Sequence, residues 1–359
     1  MITVLAEPPC SLSTESKALR IEHNGRLVKR IPLSQVDCLV IRGKVQLNAD
    51  VLQKAAANGV PTMVCDRRSN GAINWLTPGQ VPSVQLRTRQ HRIAADSVGC
   101  LPLIKALVQA KFNGYRLALA TSRYIDDKSC RHAQFIRSLT QADNALETAK
   151  SANSIRGMEG AVSKSWFALL AESFDQKWGF SGRNRRPALD PVNALLSLSY
   201  SFVQGDVRQA LVQRGFDIDI GFLHQLVPGR PSLVLDILEP FRPLVDCFVV
   251  NLCQTTLSPD QLRKTNEGWR LAKSGWPVFM PAITRWRQSS GIIWREYSGH
   301  LWPGYPVPEQ AEHISDICHY LAHHFATSVL NHQAEPTDIV NQELNHDNDY
   351  SPDVVPTKS

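Results

Sequence analysis

Nowhere does the chain carry the roughly 20 consecutive apolar residues that a membrane-spanning helix needs, so no such helix is expected. The opening MITVLAEPPC has neither a basic leader nor a long apolar segment of the secretory kind, and the expectation is a cytoplasmic protein with no membrane partner. Paired cysteines are also missing. The eight cysteines stand singly, with no CxxC among them, so neither a zinc ribbon nor a thioredoxin-like redox site is encoded locally. Several lie in apolar runs such as DCLVI and TMVCD, where a reduced thiol serves as a small hydrophobe. No internal repeat is present. With 43% apolar and 20% charged residues, the composition is that of a globular protein rather than a disordered or fibrous one.

Acidic residues are scarce outside the last segment. Residues 331–359 hold six acids against Lys358 alone, so the net +6 of the whole chain conceals +11 on residues 1–330. A body that basic attracts polyanions, nucleic acid first among them. The segment 331–359 is polar and poor in large side chains, and reads as a disordered acidic tail.

The length, 359 residues, suggests more than one domain. Residues 1–84 read as a small β-rich, sandwich-like domain. Asn24-Gly25 between two extended segments marks a hairpin, VDCLVIRG, VPTMVCD and INWL read as strands, and NADVLQKAAANG reads as one helix capped by Asn48 and closed at Gly59. TPGQVPS, in a linker over 77–86, interrupts the pattern. Residues 85–330 are expected to form a larger all-α domain: apolar residues recur at helical spacing through 85–125 and in GAVSKSWFALLAESFDQKWG, while PVNALLSLSYSFVQGDVRQALVQRG suggests a pair of helices. The fold class is therefore α+β.

Three islands in the helical part carry chemistry. RGMEG sets Glu159 between Gly157 and Gly160 at what reads as a helix start; GFLH ends an apolar segment on His224; GRPSLVLDILEPFRP places Asp236 and Glu239 on one helix face, with Ser232 suited to cap that helix and Val234, Ile237 and Phe241 turned to the core. Arg230 or Arg242 could pair with the two acids, or the acids could hold a cation. Glutamate, imidazole and a further carboxylate form a donor set that suits Mg2+ or Mn2+. His319 and His323 have a metal-capable spacing of four, with no carboxylate template beside them.

Taken in order, RGMEGAVSKSWF, NALLSLSY, GFLH and GRPSLVLDILEPFRPLVD resemble the blocks of the CRISPR-associated integrase family, CRISPR-associated protein one. The β-rich opening, with IPLSQVDCLVIRG and GVPTMVCDRRSNG, resembles it too, and the likeness covers about residues 15–330. It implies that Glu159, His224 and Glu239 are the metal ligands, with Asp236 close by as a competitor for the third position. It further implies a reaction in which the 3′-hydroxyl of a short prespacer duplex attacks a phosphodiester of the CRISPR repeat, a companion endonuclease activity, and homodimers assembled with CRISPR-associated protein two.

Double-stranded DNA must also be gripped. Arg183, Arg185 and Arg186 in FSGRNRRP, the strip Arg87, Arg89, Arg92, Lys105 and Lys111, and Arg230 and Arg242 are the candidate phosphate contacts. Residues 263–302 combine seven Lys/Arg with five of the eight tryptophans, a pattern suited either to base stacking or to core packing. The competing expectations are a transposon-type integrase, against which the short acidic tail argues, and a non-catalytic DNA-binding scaffold.

Overall fold

The structure is a computed structural model that describes residues 2–60, 62–65, 73–76, 84–184, 187–296 and 301–332. The strand-rich part comprises β1 (Ile2–Ala6), β2 (Cys10–Glu15), β3 (Ala18–His23), β4 (Arg26–Pro32), β5 (Val36–Arg42), β6 (Gln46–Leu47), α1 (Ala49–Ala57), β7 (Thr62–Cys65) and β8 (Ile73–Leu76). Two four-stranded sheets result, in the orders β1-β5-β7-β8 and β4-β3-β2-β6. The β3–β4 hairpin turns at Asn24 and Gly25, both with positive φ (51° and 74°), as its tight turn requires.

β5 is apolar without alternation because it is buried on both sides. Its Leu39 and Ile41 face the core shared by the two sheets. Cys38 and Val40, on the opposite face, join the core of the helical part. β5 pairs in parallel with β1 and β7, and Arg42 at its end stacks on Trp276 of the helical part, 4.5 Å from the ring centre.

The helical part contains α2 (Val84–Ala95), α3 (Leu101–Thr121), α4 (Cys130–Thr148), α5 (Ala152–Leu170), α6 (Pro191–Arg214), α7 (Ser232–Leu238), α8 (Arg242–Thr255), a hairpin of β9 (Leu262–Thr265) and β10 (Gly268–Leu271), α9 (Trp276–Glu296) and α10 (Ile314–Asn331). A strand-rich region followed by a mostly helical one is thus observed, but the second is not all-α: the β9–β10 hairpin packs on α6. α6 is one continuous helix where two were expected. Gly205 lies inside it without breaking it, and no residue of the helix before Arg214 is exposed.

Local corrections follow the same physical lines. The Asn48 side chain makes no capping bond on α1. GAVSKSWFALL is helical, but residues 171–173 and 176–178 tighten into single 3-10 turns. The linker TPGQVPS and the tail beyond residue 332 lie outside the described residues.

Candidate active site

α5 starts at Ala152, with the Ser151 hydroxyl accepting from Ser154 N. Glu159 therefore lies two turns inside the helix rather than at its start. Gly157 and Gly160 flank it on an exposed surface, where an added Cβ would meet nothing within 4 Å. One turn further on, Ser163 Oγ donates to Glu159 Oε1 at 2.7 Å.

α7 ends at Leu238, and Glu239 opens a 3-10 turn over Glu239–Phe241. Val234, Ile237 and Phe241 are fully buried, as expected, and Glu239 is 3% exposed. This turn lies against α3 because residue 114 is glycine: a Cβ there would come within 2.3 Å of Pro240 O. The close approach delivers Lys111, one turn earlier on α3, to the carboxylates. Its Nζ donates to Glu159 Oε1, to Glu239 Oε2 at 2.6 Å and to Ser163 Oγ at 3.0 Å. Burial opposes the lysine's charge most strongly, but Glu239, Tyr115 and Glu159 outweigh it and hold the ammonium protonated well above the usual lysine range. Glu239 is also buried, yet Arg242, Lys111 and His224 overcome that cost and keep its carboxyl far below the ordinary range.

The GFLH segment is held by Asp236. Its Oδ2 accepts from Phe222 N (2.6 Å) and Leu223 N (3.0 Å), and its Oδ1 accepts from His224 N (2.8 Å) and His224 Nδ1 (2.7 Å). Gly221 is necessary for this clasp, since a Cβ would come within 2.8 Å of Asp236 Oδ2. With Nδ1–H committed to the carboxylate, the open nitrogen of His224 is Nε2, which lies 3.8 Å from Glu239 Oε1. Asp236 is 0% exposed and bonds the GFLH segment with both oxygens, whereas Glu239 faces Lys111 and Arg242. Ser232 begins α7 rather than capping it, and its hydroxyl donates to Gln225 O across the same loop.

Among the described residues, no group of three or more His, Cys, Asp and Glu side chains is gathered tightly enough to hold a metal ion as it stands. Lys111 takes the point between Glu159 and Glu239. It was expected among the DNA contacts, but it is 3% exposed and faces the acids. Arg242 is likewise turned inward: its Nε donates to Glu239 Oε1 at 2.7 Å, and its guanidinium stacks on Tyr200 at 4.7 Å. Arg183 is tied to Asn193 and Ser197, Arg230 to Gln225 O and Arg87 to Gly215 O, although all three stay partly exposed. Arg185 and Arg186 lie outside the described residues. Trp276, Trp294 and Trp302 are buried and unavailable for base stacking, while Trp269 and Trp286 are half-buried against the core. His319 and His323 lie on exposed positions of α10 and form no metal-capable group among the described residues.

Sequence reasoning missed three contributors. Lys111 sits in an apolar helix, 48 and 128 residues from its partners. Ser163 was legible as the residue four after Glu159. Arg156, one turn before Glu159, donates to Leu223 O at 2.9 Å and ties α5 to the GFLH loop.

The sequence profile described as CRISPR associated protein Cas1 matches residues 3–285. The chain belongs to the Cas1 family. The CRISPR-associated endonuclease Cas1 1 of Chlorobaculum tepidum is 34% identical over 67% of this chain and 72% of its own. That of Thermodesulfovibrio yellowstonii is 30% identical over 79% and 90%. Among solved structures, a Cas1 protein from Thermotoga maritima superposes with a TM-score of 0.73 at 21% identity, covering 93% of this chain and 98% of its own. A casposase bound to integration product gives 0.74 at 19% identity, over 94% and 97%. These two likenesses establish a shared Cas1 fold.

Proposed function

We propose that this chain is a metal-dependent DNA endonuclease and integrase of CRISPR adaptation, joining the 3′-hydroxyl ends of prespacer DNA to the CRISPR repeat by transesterification. One observation carries the reading. Carboxylates from α5 and from the turn after α7 converge on a single positive charge, beside an imidazole whose Nε2 is left open. Membership of the Cas1 family supports it, as do the endonuclease names of the curated relatives.

The donor set of two carboxylates and a neutral imidazole fits Mg2+ or Mn2+, and the Lys111 ammonium marks the cation-favouring point between the acids. Glu159, His224 and Glu239 would hold the ion. When bound, it supplies Lewis-acid polarisation of the phosphoryl oxygen and a more acidic attacking hydroxyl. The protein's own residues do the rest. Asp236 fixes the tautomer and direction of His224, as an outer partner of a ligand histidine does. Arg156 fastens the loop that carries it. Arg242 holds Glu239 from the side away from Lys111, so the carboxylate cannot rotate freely.

The partners proposed are double-stranded DNA (prespacer and repeat), a second copy of this chain, and CRISPR-associated protein two. A Cas6-RT-Cas1–Cas2 complex is among the solved structures that this chain resembles, at a TM-score of 0.67 and 19% identity over 90% of this chain and 34% of that one.

A half-site integration assay with and without Mn2+ tests the reading. Glu159→Ala, His224→Ala and Glu239→Ala are each expected to lower strand transfer by about 10²-fold to 10⁴-fold while duplex binding persists. Near-normal transfer by His224→Ala would overturn the site assignment. Binding without cleavage or transfer by the unaltered protein in Mn2+ would make it a scaffold.

A further inference from the structure

Lys111 lies at the centre of the cluster, and the proposed chemistry does not use it. Its Nζ bonds Glu159, Glu239 and Ser163, and its side chain is 4% exposed. The Tyr115 ring centre, 5.7 Å from Nζ, lies beside it, and Tyr115 OH meets the same Ser163 hydroxyl at 3.0 Å. Two carboxylates facing one another in a largely dry pocket need a positive charge between them. Lys111 supplies it from within the chain, at the point that a divalent ion held by Glu159 and Glu239 would occupy.

We propose that Lys111 is a positioning residue that acts as the built-in counter-cation of the active site, clamping Glu159 and Glu239 together until a divalent ion displaces it. This inference rests on the metal-dependent reading above. Ammonium and ion cannot share one point between the same two oxygens. Ion entry therefore requires the Lys111 side chain to withdraw, and the clamp becomes a competitor that sets how much free ion the enzyme needs. Gly114 is part of the device. Without the close approach of α3 to the Glu239–Phe241 turn, the ammonium would not reach Glu239.

The test is a Mn2+ titration followed by electron paramagnetic resonance, without DNA, on the full-length protein and on Lys111→Met and Lys111→Gln. A site blocked most of the time loses apparent affinity by the fraction of time that it is open, so removing the block is expected to tighten Mn2+ binding by about tenfold or more. The melting temperature of Lys111→Met is expected to fall in chelator and to recover in Mn2+ by more than the unaltered protein gains. Lys111→Gln, whose amide still donates to both acids, covers the case in which Lys111→Met does not fold in chelator. Equal or weaker Mn2+ binding by the variants would overturn the clamp. A Glu159→Gln control separates the two levels: if the unaltered protein binds Mn2+ no better than Glu159→Gln does, the metal-site reading itself fails.

Discussion

Arg287 on α9 and Asp206 on α6 form a two-pronged ion pair, Nη2 to Oδ1 at 2.5 Å and Nε to Oδ2 at 3.0 Å, with both side chains 3% exposed. The cluster of Lys111, Glu159, Glu239 and His224 is buried only on one side. Lys111 and Glu239 are 4% exposed, but Glu159 and His224 are each 20% exposed. The first arrangement is closed, with matched charges and matched geometry. The second is open toward solvent and carries an imidazole nitrogen with no donor aimed at it among the described residues. The two arrangements thus differ less in burial of the acids than in whether one face of the charge is left accessible.

The largest effect is expected at the closed pair. Arg287→Met removes the two-pronged partner of the buried Asp206 and is expected to cost about 3–5 kcal/mol in urea denaturation, with Mn2+ giving no recovery. Loss of less than about 1 kcal/mol would mean that the pair behaves as a surface bridge, and the contrast drawn above would collapse.

Asp246 extends the comparison to a buried acid held by neutral donors. It accepts from Trp166 Nε1 at 2.8 Å and from Tyr200 OH. Burial pushes its carboxyl up to about 6, against the opposing pull of those two hydrogen bonds and of Arg183 and Arg242. Because the folded value lies above the unfolded one, this group's contribution to stability is complete below about pH 4 and is lost as pH rises through about 6. Asp246→Asn removes that titration. Relative to the unaltered protein, the variant is expected to gain up to about 3 kcal/mol between pH 4 and pH 7, at about 1.4 kcal/mol per tenfold in proton affinity. Denaturation curves at both pH values would reveal the opposite slope if hydrogen bonding, rather than burial, governed Asp246.

Asp236→Asn sharpens the contrast inside the site. The amide keeps one acceptor where the carboxylate offers two, so some of the four N–H donors lose their partner and the His224 ring is no longer held in one tautomer. The expected result is a 10–100-fold loss of Mn2+ affinity or activity, with duplex binding retained. Unchanged Mn2+ affinity would assign Asp236 to the GFLH backbone alone.

Much of this was legible in the chain. GFLH and SLVLDILEPF carry their own geometry: Asp236 and the GFLH amides it binds are at most 14 residues apart, within reach of pattern reasoning. The strand-rich opening was legible for the same reason, since the Asn24-Gly25 turn and the CLVI run are local signals. Lys111 was not. A lysine in ALVQAKFNGY looks like a solvated interruption of an apolar helix, and only the approach allowed by Gly114 reveals that it points at two acids far away in sequence. Arg242 was open to two readings, a phosphate contact or a partner for the acids, and it bonds Glu239, three residues earlier. The β9–β10 hairpin was hidden because its residues, LRKT and GWRL, are half polar, and only Leu262 among them is buried.

The smallest effect belongs to the outer face of α5. Gly157 lies on the exposed flank of α5, two residues before Glu159, with no neighbour for an added methyl to meet. A structural reading has no use for glycine there, since alanine in a helix interior is better by about 0.5–1 kcal/mol. Gly157→Ala is accordingly expected to raise stability by that amount in thermal denaturation. Two residues apart on one helix, Gly157 and Glu159 point nearly opposite ways, so strand transfer and Mn2+ affinity are both expected to hold. A severalfold fall in transfer would show that the DNA backbone also settles on the outer face of α5.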